Sequence, residues 1–317
     1  MKTAFLFPGQ GSQYVGMGKD LYSAFPEARR RFEVADAVLG FPISEMMFGS
    51  GDETQAEPEA EALKQTDITQ PALLIHSMAA WAVLESKGVV PDMAAGHSLG
   101  EYAALTAAGA MTFEDGVRIA RERGRLMAGA GLERKGAMAA VLGLDAAAVE
   151  GVCTEISVRG DRTVQPANYN STDQIVISGD AAAVEDAMGR ISGLGARRVV
   201  PLPVSGAFHS ALMEEARRGL ATALEQLDIR PPVCPVFLNV TAQPTTDVEE
   251  IRRCLLKQLT SPVLWMQIIE RMHAEGARRF VEVGPGKVLS GLARRTLGRE
   301  VETLQAGKAE ELEDFSA

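Results

Sequence analysis

Apolar and polar positions alternate with two different periods along this 317-residue chain. Short runs dense in apolar residues read as buried strands. The stretches between them carry apolar residues three and four positions apart, the spacing of one helix face. Thr3 to Phe7 is a strand-like run stopped by Pro8 and Gly9. Pro71 to Lys87 has Ala72, Ile75, Ala79 and Val83 at helical spacing and ends at Gly88. Proline suits the first position of such a helix, because the N–H it lacks would have found no partner there. Thr112-Phe-Glu-Asp115 has the form of a capping box and predicts a helix reaching about Ala128. The hexapeptide Asp-Ala-Ala-Ala-Val-Glu occurs at 145–150 and again at 180–185. Each copy follows a strand-like run, Ala137 to Gly143 or Gln174 to Gly179, and opens an amphipathic stretch. Arg198 to Val204 closes that section as another strand, and strand-like Val236 to Val240 and Arg279 to Val283 follow.

This alternation predicts an α/β architecture around a largely parallel sheet. The two strand–helix pairs and their closing strand predict a small ferredoxin-like subdomain of the split βαβ kind. It is expected over 132–203, inserted into a discontinuous larger domain made of 1–131 and 204–317. The final stretch, with Glu310, Glu311, Glu313 and Asp314, reads as a solvated, partly disordered tail.

Composition narrows the class. Hydrophobic residues at 46% and charged residues at 23% fit a soluble globular chain and exclude wholesale disorder. With 32 Lys and Arg against 42 Asp and Glu, the net charge is −10, which makes nucleic acid an unfit main partner. Cys153, Cys234 and Cys254 are too few and too scattered for a disulfide framework, and no CxxC pair suggests zinc. A reducing, cytoplasmic setting without a metal is expected. The opening apolar run is too short for a signal-peptide core, and nowhere do eighteen apolar residues run together, so no membrane partner is expected.

The candidate chemistry begins at Gly96-His97-Ser98-Leu99-Gly100, which fits G-x-S-x-G. That spacing suits a strand turning sharply into a helix with serine at the apex, since glycines on either side let the backbones crowd together. Met93 to Ala95 can end such a strand and Glu101 to Ala108 can form the helix. The loop Phe7-Pro-Gly-Gln-Gly-Ser-Gln13 follows the first strand, at the sheet edge where α/β sites form. Its backbone N–H groups could face a developing oxyanion. As a phosphate cradle it lacks both the Lys-Ser/Thr of a P-loop and the spacing of GxGxxG. Of the four histidines, His76 reads as structural, His97 as pointing away from the Ser98 side, and His273 as a helix-surface residue. His209 sits in Val204-Ser-Gly-Ala-Phe-His-Ser210, ahead of a helix, where it could be a general base or simply a helix cap.

Seven segments then occur in order: FPGQGSQ at 7–13, TQPAL at 69–73, AGHSLGEY at 95–102, RG at 123–124, GAFHSALM at 206–213, QLTSPVLW at 258–265 and EVGPGKVLSGL at 282–292. Together they resemble the malonyl-CoA:acyl carrier protein transacylases, stand-alone relatives of the acyltransferase domains of polyketide synthases. The resemblance spans nearly the whole chain. It implies an α/β-hydrolase-like large domain with a ferredoxin-like insertion, Ser98 as nucleophile and His209 as its base. It further implies that the Gln258 carbonyl orients the histidine, that Arg123 binds the malonyl carboxylate, and that Gln13 and Leu99 supply oxyanion-hole N–H groups. Gln70 falls in a substrate-binding segment. The implied partners are malonyl-CoA and holo acyl carrier protein in a ping-pong transfer, with no cofactor, and nothing demands more than a monomer.

From the residues alone, Arg123 would pass for a surface ion-pair member on a stretch crowded with Arg118, Arg121, Glu122 and Arg125; the resemblance reverses that reading. In modular relatives, an Ala-Phe-His-Ser sequence, here around Phe208, goes with malonyl rather than methylmalonyl. Acyl carrier proteins are acidic, so an acidic enzyme needs a local basic patch, either Arg197 with Arg198 or Lys287 with Arg294 and Arg295. Two rivals stand beside this reading. One is a serine hydrolase using Asp247 and the late His273; the other is a non-catalytic relative that only binds carrier protein.

Overall fold

The computed structural model describes residues 1–315 apart from 159, 161 and 205. Ser205 of the loop ahead of His209, and the last two residues of the expected tail, lie outside the described residues. Among the described residues, ten strands form two sheets. They are β1 (Lys2–Phe7), β2 (Met93–Gly96), β3 (Gly136–Leu142), β4 (Val164–Ser171), β5 (Gln174–Asp180), β6 (Arg198–Pro201), β7 (Val236–Phe237), β8 (Pro244–Thr245), β9 (Ala277–Val283) and β10 (Glu302–Ala306). The larger sheet has the order β10-β9-β1-β2-β7-β8, with every pair parallel except β7 with β8. The smaller has the order β4-β5-β3-β6 with all neighbours antiparallel, the split βαβ arrangement, and carries the helices Ala146–Val158 and Ala181–Gly193.

Why β1 reads as an unbroken apolar run follows from its place in the middle of the large sheet. Phe5 and Phe7 pack into the core on one face and Ala4 and Leu6 into the core on the other, all of them fully buried. A parallel strand covered on both faces has no polar side to show. The repeated hexapeptide does open a helix each time, but its two aspartates do different things. Asp145 accepts the N–H of Ala148 at 2.9 Å as a helix cap. Asp180 instead takes Arg134 in a two-bond pair and the N–H of Thr163.

Several elements depart from the sequence expectations. The buried helix at 71–87 begins five residues earlier, as Thr66–Ser86, with Pro71 inside it. The Asp67 carbonyl that Pro71 cannot reach is taken by the Arg121 guanidinium, which also pairs with the Asp67 carboxylate at 2.8 Å. The helix capped by Thr112 runs on to Glu133, one turn past the expected end. The β7 strand stops after two residues because Asn239 turns in toward Ser98. β4, with the sequence Val-Gln-Pro-Ala-Asn-Tyr-Asn-Ser, was not expected at all. The acidic end is not a loose tail: Ala309–Glu313 is a helix with Leu312 fully buried, and Lys87 Nζ donates to the carbonyls of Leu312 and Glu313. Among the described residues no helix is long and apolar enough to cross a membrane.

Candidate active site

The β2 strand ends at Gly96 and the helix Gly100–Ala107 starts four residues later, so the chain must reverse around Ser98. It does so with Ser98 at φ 51°, a left-handed conformation few non-glycine residues adopt. A Cβ on Gly96 would lie 1.8 Å from the Gly100 carbonyl, and one on Gly100 would lie 2.0 Å from the Phe7 carbonyl. Only glycine fits at either place, and the closeness of Phe7 brings the first loop against the turn. Asn239 locks the turn from below: its Oδ1 accepts the Ser98 N–H at 2.7 Å and its Nδ2 donates to the Gly96 carbonyl at 2.7 Å.

His209, also left-handed at φ 58° and buried, holds Nε2 2.8 Å from Ser98 Oγ. Its Nδ1 lies 2.9 Å from the Gln258 carbonyl. A carbonyl only accepts, so Nδ1 carries the proton and Nε2 presents its lone pair to the serine. Burial, and then the nearby Arg123 charge, push the imidazole down to about 3, so it is neutral at neutral pH.

Arg123 comes from the helix Phe113–Glu133 and is 1% exposed. Its neighbours Arg118, Arg121 and Arg125 take the ion pairs, with Asp115, Asp67 and Glu122. Arg123 itself donates only to neutral oxygens: Gln70 Oε1 at 2.8 Å, Ser98 Oγ at 3.0 Å and Gln258 Oε1 at 2.8 Å. Its guanidinium lies 5.5 Å over the Tyr102 ring, and its Nε has no partner among the described residues. Burial pulls its pKa below the usual arginine value, opposed by Tyr102 and Glu101. Gln70 also donates to Met127 Sδ at 3.3 Å.

Ser98, His209, Arg123, Gln70 and Leu99 meet in one cavity of about 110 Å³, between the large sheet and the smaller one. From the segment bearing the small sheet come Met138, Asn168 and Leu202; Phe208 and Met127 complete much of the apolar lining. Gln13 is not there. Its Oε1 turns back to accept the Gly11 N–H at 2.7 Å, and the glutamine of that loop which does line the cavity is Gln10. The two glutamines sit either side of the left-handed Gly11, so the turn itself decides which one faces the serine. The backbone N–H groups of Gln10 and Leu99 find no acceptor among the described residues. His97 also lines the cavity rather than pointing away, held by a hydrogen bond of 2.9 Å to Asn170 Oδ1.

Glu101, Asn239, Asn168 and Asn170 are buried polar residues of the site that the sequence does not single out. Glu101 lay in plain sight directly after the Gly-x-Ser-x-Gly turn, while Asn239 looked like part of a strand. The hydrolase alternative fares differently. Asp247 caps the helix Val248–Gln258 through the Glu250 N–H, His273 bonds the Ala277 carbonyl, and neither lines the cavity. Among the described residues no three His, Cys, Asp or Glu side chains group as a metal site.

A strained serine on a strand–helix turn, a neutral imidazole against its oxygen and a buried cation beside both define the serine acyltransferase class on an α/β fold. The acyl transferase domain family matches residues 4–312. The chain is 45% identical to the malonyl CoA-acyl carrier protein transacylase of Bacillus subtilis over 98% of its length and 95% of that protein. It is 42% identical to the enzyme of the same name from Staphylococcus aureus, over 99% of this chain and 98% of that one. The acyl-carrier-protein-S-malonyltransferase of Bartonella henselae superposes with a TM-score of 0.92 at 42% identity, covering 99% and 98% of the two chains. A malonyl-transacylase solved in complex with its type II PKS acyl-carrier protein gives 0.92 at 39% identity, covering 98% of each. The chain belongs to the malonyl-CoA:acyl carrier protein transacylase family.

Proposed function

We propose that this protein transfers the malonyl group of malonyl-CoA to the phosphopantetheine thiol of acyl carrier protein through a malonyl ester on Ser98. Ser98 Oγ attacks the thioester carbonyl while its proton passes to His209 Nε2. The oxyanion that forms takes the free backbone N–H groups of Leu99 and Gln10, each donor of this kind lowering the barrier by about 2.7–4 kcal/mol. The carbon–sulfur bond then breaks, CoA leaves with the proton from His209, and the malonyl group stays on serine. The carrier thiol enters and the same steps run in reverse.

The observation that carries the reading is the sharing of one serine oxygen by His209 at 2.8 Å and Arg123 at 3.0 Å in one small cavity. Arg123 has no carboxylate partner, and a planar guanidinium can grip both oxygens of one supplied by substrate. That carboxylate also offsets the positive charge that holds His209 down, so the base strengthens when a malonyl group is seated. Gln70 and Gln258 fix the guanidinium plane, and the Gln258 carbonyl fixes the imidazole. In this reading 1–131 and 204–317 form the catalytic domain, and 132–203 is a subdomain that walls the cavity. A single chain holds every group the reaction uses, so a monomer suffices. Cys153, Cys234 and Cys254 are free and buried, in keeping with the cytoplasm.

The test is intact mass after mixing with malonyl-CoA and no acceptor. One stable malonyl increment is expected, absent in Ser98→Ala. Rapid release of free malonate instead would mean a hydrolase, and no increment at all a non-catalytic binder.

A further inference from the structure

We infer that Glu101 is the positioning residue of this site: it orients Gln258, and through it Arg123 and His209, and serves as the buried counter-charge to Arg123. The inference rests on the acyl-transfer reading above and extends it to a residue outside the reacting groups.

Glu101 is fully buried on the first turn of the helix that follows Ser98. One of its oxygens, Oε2, accepts two hydrogen bonds, from Gln258 Nε2 at 2.9 Å and from the Asn239 N–H at 3.0 Å. The other, Oε1, has no partner among the described residues. A purely architectural acceptor would not need this arrangement, because leaving a buried carboxylate oxygen unsatisfied is costly. What a carboxylate does supply is an acceptor that can never donate.

Gln258 gives that property its use. Its amide donates to Glu101 and to the Ser98 carbonyl at 3.0 Å, accepts from Arg123 Nη2 at 2.8 Å, and its backbone carbonyl holds His209. An amide between an acceptor-only carboxylate and a donor-only guanidinium has one allowed orientation. Replace the carboxylate by a group that can donate and the amide can turn over, pointing NH₂ at Arg123 and withdrawing a hydrogen-bond acceptor from it. The Gln258 amide, set between the two, also keeps the carboxylate out of hydrogen-bond contact with Arg123. A direct Glu–Arg pair would fill the seat that the substrate carboxylate needs. Asn239 completes the clasp, since its N–H is held by Glu101 while its side chain holds the Ser98 turn.

The charges facing Glu101 leave it as the group that titrates near neutrality. Burial pushes its carboxyl up to about 7, partly offset by Gln258, Asn239 and Arg123. Tyr102 on its own helix is raised far beyond neutrality, and Cys254 from the helix Val248–Gln258 is pushed up to about 12. Arg123 from the helix Phe113–Glu133 stays charged, and His209 titrates at about 3. Below about 7 Glu101 gains a proton and becomes a donor; above it the anion is present.

The experiment is the rate of malonyl-Ser98 formation, per active site, between pH 6 and 8 in the wild-type protein and in Glu101→Gln, with the melting temperature of each. Wild-type protein that forms no adduct at any pH sinks the acyl-transfer reading itself, whatever Glu101 does. Given an adduct, the wild-type rate is expected to fall several-fold as pH drops from 8 to 6. Glu101→Gln is expected to be at least tenfold slower at pH 8 and flat across that range, with KM for malonyl-CoA not raised. A merely structural glutamate would lower the melting temperature and the active fraction but leave the pH profile of the surviving sites unchanged, and that result overturns the inference. A flat wild-type profile overturns it too, and needs no variant to fold.

Discussion

Arg123 has traded its hydration for three neutral hydrogen-bond acceptors and the face of a tyrosine ring, with Nε left over. Removing a guanidinium from water without an ion-pair partner costs several kcal/mol, so this residue is poorly explained as a stabiliser of the fold. It is well explained as a seat held open for an anion. Removing one member of a buried charge pair leaves the other uncompensated. Arg123→Met strands the buried Glu101 carboxylate and the acceptors of Gln70 and Gln258, so it is expected to melt below wild type while losing malonyl transfer even in the fraction that stays folded. Two charge-assisted hydrogen bonds at about 1.5–3 kcal/mol each correspond to roughly a 10²–10⁴-fold drop in kcat/KM for Ser98 malonylation. Acylation by acetyl-CoA, which has no carboxylate to seat, should fall far less. Acylation by the variant that stays malonyl-selective would remove the role given to Arg123.

The elements hold these residues through a few backbone approaches that leave no room for side chains. Gly100 is the plainest, because its missing Cβ would stand 2.0 Å from the Phe7 carbonyl, at the root of the loop that carries Gln10. Gly100→Ala must push that loop away. Overpacking of this kind costs about 1–3 kcal/mol, so a melting temperature lower by a few degrees is expected. The acylation rate should fall more than the lost stability alone accounts for, because the Gln10 N–H moves; quenched-flow measurement on the folded variant checks this, and an unchanged rate would separate the loop from catalysis. That same close packing made the turn legible, since glycine spacing is a sequence signal with one steric cause. The apolar strands and the capped helices were legible for a similar reason: burial on both faces and a hydroxyl cap each leave a local trace. β4 left none. Its Asn168 lines the cavity and its Asn170 holds His97, so the positions that would have alternated apolar carry site chemistry instead. The start of the helix at Thr66 was hidden because the group that repairs the Pro71 break, Arg121, comes from another helix. Whether Gln10 or Gln13 faces the serine depends on the turn at Gly11, which composition does not reveal.

At the scale of the molecule, the proposed transfer asks a chain of net charge −10 to receive a carrier protein that the family resemblance implies is acidic. The fold eases this by joining what the sequence offered as two separate basic clusters. Arg197, beside β6, pairs with Asp173 at 3.0 Å, and Arg295, on the helix Val288–Leu297, donates to Gln174 Oε1 at 3.0 Å. Asp173 and Gln174 are consecutive residues at the β4–β5 hairpin, so both arginines converge on one turn, with Arg198 and Arg294 exposed close by in sequence. Asn168 in the cavity wall is five residues from Asp173 along the chain, which limits the separation to no more than about 18 Å. A carrier docked on this ridge therefore needs its flexible arm to cover only about the length of one strand to reach Ser98. Charges at the rim of an interface act mainly on association. The double variant Arg197→Glu, Arg295→Glu is thus expected to raise KM for carrier protein about tenfold and to flatten its dependence on salt. Formation of malonyl-Ser98 from malonyl-CoA, which never meets the carrier, should proceed at the wild-type rate. Because the two half-reactions share one serine, a defect in both would mean that the substitutions had disturbed the cavity instead, and the ridge would lose its claim as the landing place.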